Sequence, residues 1–582
     1  MTTFATPSPR ASRPRLVHLV PWDLTVGGAQ RMIDLWCALE AERWDAHIIT
    51  PGARGPFSFH GATVHSQLER SQILNLIETL EPDLLVHHEP NDQTAINSKC
   101  PQVWILHCVT SLKQQPPDDV KPVMVFSNFD SDEIHPAWRQ LSLKISRPQI
   151  DTQTFYPSKQ KHAGLICGIV GRLHEDKVPP SFIEALLPWH PDRWQIRFVG
   201  NGLDTSYQQS VKRKLAKLSW VEFVGDVMPG EVPSALRQLD AVMIPTDAAH
   251  GETGSYAALE AMATGLPVIA RDLPGLRYNC GNVPLYAASD SDLLARLHEL
   301  DDGDVRAEIG SRARKSMVEY DVRIHTATHS AGFAAALRCE VSILMPVFDT
   351  SAKYLLECWD SIRSQTFRAW ELVLVDDGSR AVETIAEIDR IATDPRVTLI
   401  RLNENHGIAR ALNIGMSRCR ANLVARMDAD DKMMSTRLQR QHDYMRSHPE
   451  VTVLGAQLQA IDWETHRLLS PTAHPEQVTD EYITQQHETL EIWFLNHPTV
   501  MLRRREVMNL GGYPQYRVAQ DLGLWLKVFG AGLKIHNLPT VELHYRLHPD
   551  QISTASAVRR AEYLRIIEEC WPPSATAAGS RR

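Results

Sequence analysis

The sequence predicts an α/β protein with two doubly wound Rossmann-like domains followed by a third α/β domain, and three observations carry that expectation. Short apolar runs alternate with amphipathic stretches of about 10 to 15 residues along nearly the whole chain, the pattern of parallel strands covered by helices. A chain of 582 residues is too long for one core, at roughly 100 to 200 residues per domain. Hydrophobic content of 43% with 23% charged residues is that of a globular protein, which excludes disorder.

Residues 1–15, "MTTFATPSPRASRPR", form a loose polar tail without the apolar centre of a secretory signal. Residues 16–157 make the first domain. Its strands are "LVHLVPW", "DLLVHHE", "VWILH" and "PVMVF", and a helix over 29–44 places Met32, Leu35, Trp36 and Leu39 on one face. Residues 158–338 make the second, opening on "GLICGIVGRL" and continuing through "WQIRFVG", "VEFVGD", "DAVMIP" and "LPVIARD". Residues 304–337 are helix-forming and lack a Pro- or Gly-rich linker. The third domain, 339–556, starts at "CEVSILMPVF" and proceeds through "WELVLVDDGS", "VTLIRLN", "ANLVARMDADD" and "VTVLGAQL". A terminal helix and a polar tail fill 557–582.

The net charge of -9 offers no general basic surface, so no nucleic-acid partner is expected. No apolar run reaches the roughly 18 residues of a membrane span, and the expected location is cytoplasmic. The 9 Cys are odd in number and lack a C-x-x-C pair, which points to reduced thiols. The pairs His87, His88 and His544, His548 have no companion ligands at metal spacing.

In the third domain, two acidic groups follow successive strands: Asp376 and Asp377 in "VLVDDGS", then Asp428, Asp430 and Asp431 in "ARMDADD". The carboxyl edge of an open α/β sheet is where ligands bind. Carboxylates crowded there repel one another unless a cation sits among them, and Mg²⁺ or Mn²⁺ prefers such oxygen donors. Asp521 in "AQDLGLWLKV" has the bland reading of a helix cap, since Asp is common there. Trp370 and Trp525 read as core aromatics. In the first domain, Gly27 and Gly28 between strand and helix permit close approach of an anionic ligand, or a tight turn. They lack the G-x-G-x-x-G spacing of a dinucleotide site, which argues against redox chemistry.

"VSILMPVFD", "LNENHGIARALNIGMSRCRANLVARMDADD", "HPTVMLRR", "GGYP", "AQDLGLWLKV" and "YRLHPDQIS" occur in this order. Together they resemble glycosyltransferase family 2, inverting enzymes with the GT-A fold. The resemblance implies that Asp376 or Asp377 contacts the donor base and that Asp428 and Asp430 bind donor and metal. Asp521 inherits the role of general base, with Gln520 in place of the usual Glu, and His497 lies toward the acceptor.

The earlier motifs "RPQIDTQTFYP", "GIVGRLHEDK" and "GETGSYAALEAMATGLPVIARD" resemble glycosyltransferase family 4, retaining enzymes with the two-domain GT-B fold. By that resemblance Arg172 and Lys177 bind the donor diphosphate, Glu252 contacts the transferred sugar, Glu260 holds the ribose hydroxyls and Gly28 lines the cleft. His107 reads either as a donor-sugar residue or as a core His. Thr253, Gly254, Ser255 and Val178 depart from the family pattern. Two cations can neutralise a diphosphate, so this half is expected to need no metal.

The joint expectation is a bifunctional glycosyltransferase using UDP- or GDP-linked sugars on a growing glycan or lipid-linked glycan. A bacterial polysaccharide or lipopolysaccharide is the implied product, and a lipid-linked acceptor would bring the chain to the inner membrane face. The alternative keeps the GT-A half active beside a GT-B-like binding module.

Overall fold

The computed structural model describes residues 13–570 except 25–27, 54–58, 90–95, 97–99, 107–122, 126–134, 136–142, 146–148, 158–163, 201–204, 247–254, 325–332, 335, 463–466, 480, 484, 486–493, 517–518, 548–564 and 568. The chain is α/β, and it divides into one unit over 15–336 and another from Leu337 onward.

The first unit holds two sheets. Across the first run Ala62–His65, Asp45–Ile49, Arg15–Leu19, Leu84–His88, Gln102–Leu106, Val123–Val125 and Leu143–Ile145. Across the second run Val221–Gly225, Trp194–Val199, Leu165–Val170, Ala241–Ile244, Val268–Arg271 and Leu285–Ala287. The pairings are parallel throughout. Central strands such as "RLVHL", "LLVHH" and "AVMI" are buried at every residue, as expected where helices cover both faces.

The expected helix over 29–44 is Gly28–Leu39. After Leu39 the chain turns, with Arg43 N–H bonded to the Glu40 carbonyl, and Trp44 drops into the core. Two contacts tie the first sheet and its helix to later segments of this unit. Trp36 Nε1 donates to Gln149 Oε1 at 3.2 Å. Phe333, from the end of the segment assigned by sequence to the second domain, packs edge-on against His18, Trp36 and Trp44 of the first sheet.

The second unit begins with parallel order Val397–Arg401, Trp370–Asp376, Val341–Val347 and Leu423–Arg426. Sequence similarity to the earlier units stops there. Met501–Arg503 pairs antiparallel with Leu423–Arg426, and Val451–Asp462 pairs antiparallel with Met501–Arg503. The 14-residue strand Lys534–Leu547 then runs parallel to Val451–Asp462. The sheet is therefore mixed, because both long strands bury their first halves and return along a sheet already covered by helices. Among the described residues no helix is long and apolar enough to cross a membrane.

His18 and His88 lie on adjacent strands of the first sheet, buried, with Nδ1 and Nε2 2.9 Å apart. Burial pulls His18 from 6.5 down to about 4. The unfolded chain takes up the proton first, so this stability is complete above pH 6.5 and is lost as pH falls toward 4, by about 3 kcal/mol. Hydrogen exchange at Arg15–Leu19, corrected for intrinsic rates, will show protection falling over that window, and His18→Gln will flatten the fall.

Candidate active site

Two strands of the second unit deliver acidic residues to one edge. Trp370–Asp376 ends in Asp376, and Asp377 follows; both side chains are buried. Asp376 Oδ1 accepts from the Ser379 amide at 2.9 Å, and Oδ2 faces Arg401 Nε at 3.3 Å. Asp377 accepts the His406 and Gly407 amides, each at 2.9 Å, and so fixes the entry to helix Ile408–Arg418. Each carboxylate keeps spare lone pairs for a ligand.

Leu423–Arg426 delivers the second acidic group. Ligand oxygens of Asp428, Asp430 and Asp431 lie within 4.8 Å of one another. Burial pushes Asp431 well up, helped by Asp430 and Asp428. Asp428 is likewise raised by burial, against the pull of Arg426. Asp431 Oδ1 accepts the Arg546 amide at 2.9 Å, while its buried Oδ2 has no hydrogen-bond partner among the described residues. Three crowded oxygen donors with an orphaned buried acceptor fit a hard divalent cation.

Four residues outside the expected set build this corner. Arg426, buried at the strand end, pairs with Asp428. Arg546 donates from Nε to the Asp430 carbonyl at 2.9 Å and from Nη2 to Glu357 at 2.8 Å, and it lies over the Tyr354 ring. These contacts give the Arg of "YRLHP" its place. Arg437 is wholly buried and donates from Nη2 to the Arg426 carbonyl at 2.8 Å and to the Val500 carbonyl at 3.4 Å. Asn413, on helix Ile408–Arg418, completes the set.

Asn413 clamps Tyr513 from both sides: Nδ2 donates to the Tyr513 carbonyl at 2.8 Å, and Oδ1 accepts its amide at 2.9 Å. The buried Tyr513 hydroxyl lies 3.0 Å from His497 Nε2. Burial and then Arg426 pull His497 well down, so its ring is neutral. Trp370 and Trp525 are both core residues, and Trp525 stacks edge-on against His497.

Asp521 sits in the first turn of helix Gln520–Gly530, not at its N-cap, which is Ala519 at φ +55. Its carboxylate therefore meets the amides of the helix start from within the first turn. Burial raises Asp521, and the amides of the helix start and Arg426 hold it down. Arg426 also faces Tyr513, which in turn faces Asp428 and Asp521. The acidic group, the candidate base and His497 thus share one electrostatic neighbourhood.

In the first unit, Gly28 opens the helix Gly28–Leu39. Arg172 and Lys177 follow strand Leu165–Val170, where Gly171 takes φ +135. A Cβ on Gly200 would lie 2.5 Å from the Gly171 carbonyl, so the two strand ends approach more closely than side chains allow. Asp176 stands beside the cations: burial would raise it, but His174, Arg172 and Lys177 lower it. Val178 is core, so its departure from the family pattern serves packing.

Helix Tyr256–Ala263 is capped by Ser255, which accepts from the Ala258 amide. Glu260 on that helix is buried and pairs with Arg31 of the first sheet's helix. Glu252 and His107 lie outside the described residues, as do Thr253, Gly254 and His548.

Residues 342–511 match the model of glycosyl transferase family 2, and residues 164–299 match that of glycosyl transferases group 1. The amylovoran biosynthesis glycosyltransferase AmsE of Erwinia amylovora is 33% identical over 213 residues, 36% of this chain and 78% of that protein. UDP-Gal:alpha-D-GlcNAc-diphosphoundecaprenol beta-1,3-galactosyltransferase of Escherichia coli is 25% identical over 221 residues, 38% of this chain and 78% of that one. Among solved structures, Anabaena Alr3699/HepE in complex with UDP-glucose covers 55% of this chain and 99% of its own at 17% identity, with a TM-score of 0.47.

Gly512 has φ +69, and a Cβ there would lie 2.4 Å from Asn413 Oδ1. Gly512→Ala is expected to cost about 3 kcal/mol through strain and collision. Asn413→Ala removes the collision, so the double variant will be less destabilised than the sum of the two single changes. Chemical unfolding read by hydrogen exchange over residues 408–418 and 520–530 checks this.

Proposed function

The chain belongs to glycosyl transferase family 2 and is a glycosyltransferase, and from that premise we propose that it carries two transfer sites acting in succession on one glycan. The observation that carries the reading is the contrast between the units. The second gathers three carboxylates, and the first sets the cations Arg172 and Lys177 around the single half-buried carboxylate of Asp176. One chemistry suits a metal-assisted diphosphate leaving group, the other a diphosphate neutralised by side chains.

In the second unit, Asp521 accepts the proton of an acceptor hydroxyl as that oxygen attacks the anomeric carbon. The bond from that carbon to the nucleoside diphosphate breaks on the opposite face, which inverts the configuration. Burial raises Asp521 toward the pH at which a carboxylate is an effective base. Asp428, Asp430 and Asp431 would hold Mg²⁺ or Mn²⁺, which when bound supplies positive charge to the departing diphosphate. Asp376 and Asp377 offer their spare lone pairs to the nucleotide base. His497, neutral and oriented by Tyr513, faces the acceptor side.

In the first unit, Arg172 and Lys177 neutralise the donor diphosphate, Glu252 contacts the transferred sugar with retention, and Glu260 accepts from the ribose. Gly28 lines the opposite wall, and His107 lies near the donor sugar. The donors are UDP- or GDP-linked sugars, in keeping with the UDP-galactose named for the Escherichia coli relative. The product is a bacterial surface polysaccharide or lipopolysaccharide, in keeping with the amylovoran role named for AmsE. A lipid-linked acceptor would place the chain at the inner membrane face. The domain limits that go with this reading are 16–157, 158–338 and 339–556.

Nucleoside diphosphate release from UDP- and GDP-sugars, with glycan acceptors and with Mn²⁺ or EDTA, tests the proposal. Asp521→Asn and Asp430→Ala are expected to remove a metal-dependent activity, Asp521→Asn by about 10² to 10⁴-fold, and to spare a metal-independent one. Glu252→Ala is expected to do the reverse. A single activity indifferent to Glu252→Ala would reduce the first unit to a binding module.

A further inference from the structure

Arg31 and Glu260 are 229 residues apart, one on the helix that follows the first strand of the first sheet, the other on a helix of the second. They nevertheless form a buried ion pair, with side chains 19% and 3% exposed. Removing both charges from water is costly, and such a pair is often no more stable than apolar packing of the same volume. A staple between the sheets would be served as well by Leu and Met.

The pair is also incomplete. Arg31 Nη1 engages only Glu260 Oε1. Oε2 is buried and has no hydrogen-bond partner among the described residues. Leaving a carboxylate oxygen orphaned in this way is costly. Stability alone does not explain an anion carried into the core and left half satisfied. The arrangement does suit a site that supplies one fixed acceptor oxygen to hydroxyl donors arriving with a ligand. Burial pushes Glu260 up and Arg31 pulls it back, so without the cation the group would drift toward the neutral acid, which donates where it should accept.

We propose that Arg31 is a positioning residue for the nucleotide-sugar donor: it holds the Glu260 carboxylate from the facing sheet so that Oε2 accepts the vicinal hydroxyls of a ribose. The proposal rests on the reading of Glu260 as a donor-binding group. It adds that the first sheet contributes a charge to nucleotide recognition without touching the nucleotide. Donor binding is therefore linked to the contact between the two sheets of this unit.

The test uses the full-length chain in EDTA, titrated with UDP and with GDP, and steady-state donor KM and kcat for its metal-independent transfer. Parent, Arg31→Ala, Arg31→Lys and Glu260→Gln are compared at matched folded fraction, checked by thermal melting. Arg31→Ala is expected to raise the Kd and donor KM about 10-fold or more, the size of a charge-assisted hydrogen bond, with a much smaller change in kcat. Arg31→Lys, which keeps the charge and folds more safely, should recover most of the loss, and Glu260→Gln should weaken binding at least as much as Arg31→Ala. If Glu260→Gln weakens binding while Arg31→Ala leaves it unchanged, the pair is a staple and the proposal fails. If Arg31→Ala tightens binding, Arg31 blocks the site and the proposal also fails. If Glu260→Gln changes nothing, the donor-binding reading of Glu260 itself is overturned.

Discussion

A single buried cation organises the second unit. The Arg437 guanidinium has no exposure to water, and burial lowers it to about 10, so it remains charged at neutral pH. Its charge goes to backbone carbonyls at Arg426 and Val500 and to the Gln441 side chain. One carbonyl belongs to the strand that leads to the acidic group, the other to the turn that follows His497. Releasing that cation would take a charge-assisted donor from the strand and from the turn at once. Arg426, Asp428, Asp431 and His497 all take their places from this fixed frame.

The two units answer the same electrostatic demand with opposite charges. A departing diphosphate needs positive potential. In the proposed reading the first unit carries its own in Arg172 and Lys177, with Asp176 beside them. The second unit supplies negative oxygen donors and leaves the positive charge to be recruited. Its surplus of carboxylates is tolerated because Arg426, Arg437 and Arg546 stand around them.

The sequence made the strands and the acidic clusters legible because both are local patterns. "VSILMPV" and "WELVLVD" declare buried strands, and "MDADD" declares a crowded edge. Features that depend on distant partners stayed hidden. Asn413 looks like any polar helix residue until Tyr513 is brought to it, and Arg31 gives no sign of Glu260. The antiparallel half of the last sheet was missed because "VTVLGAQL" has the same apolar character in either orientation. Ser255 and Val178 looked like departures from a motif, and they are a helix cap and a core residue. The position of Asp521 within the first helical turn needed the place of Ala519, which composition does not reveal.

The Asn413 clamp also bears on how the protein is made. Its two halves are 100 residues apart, so the loop between them must close before the clamp can reward it. A ribosome releases the parallel strands and their acidic residues well before Tyr513 emerges. During that interval the nascent chain holds the carboxylates without the ordered His497, and it exposes the groove into which Tyr513 later fits. Chaperone capture during synthesis would therefore matter most over this stretch, and the chain gains a complete reaction centre only as its last strands are laid down.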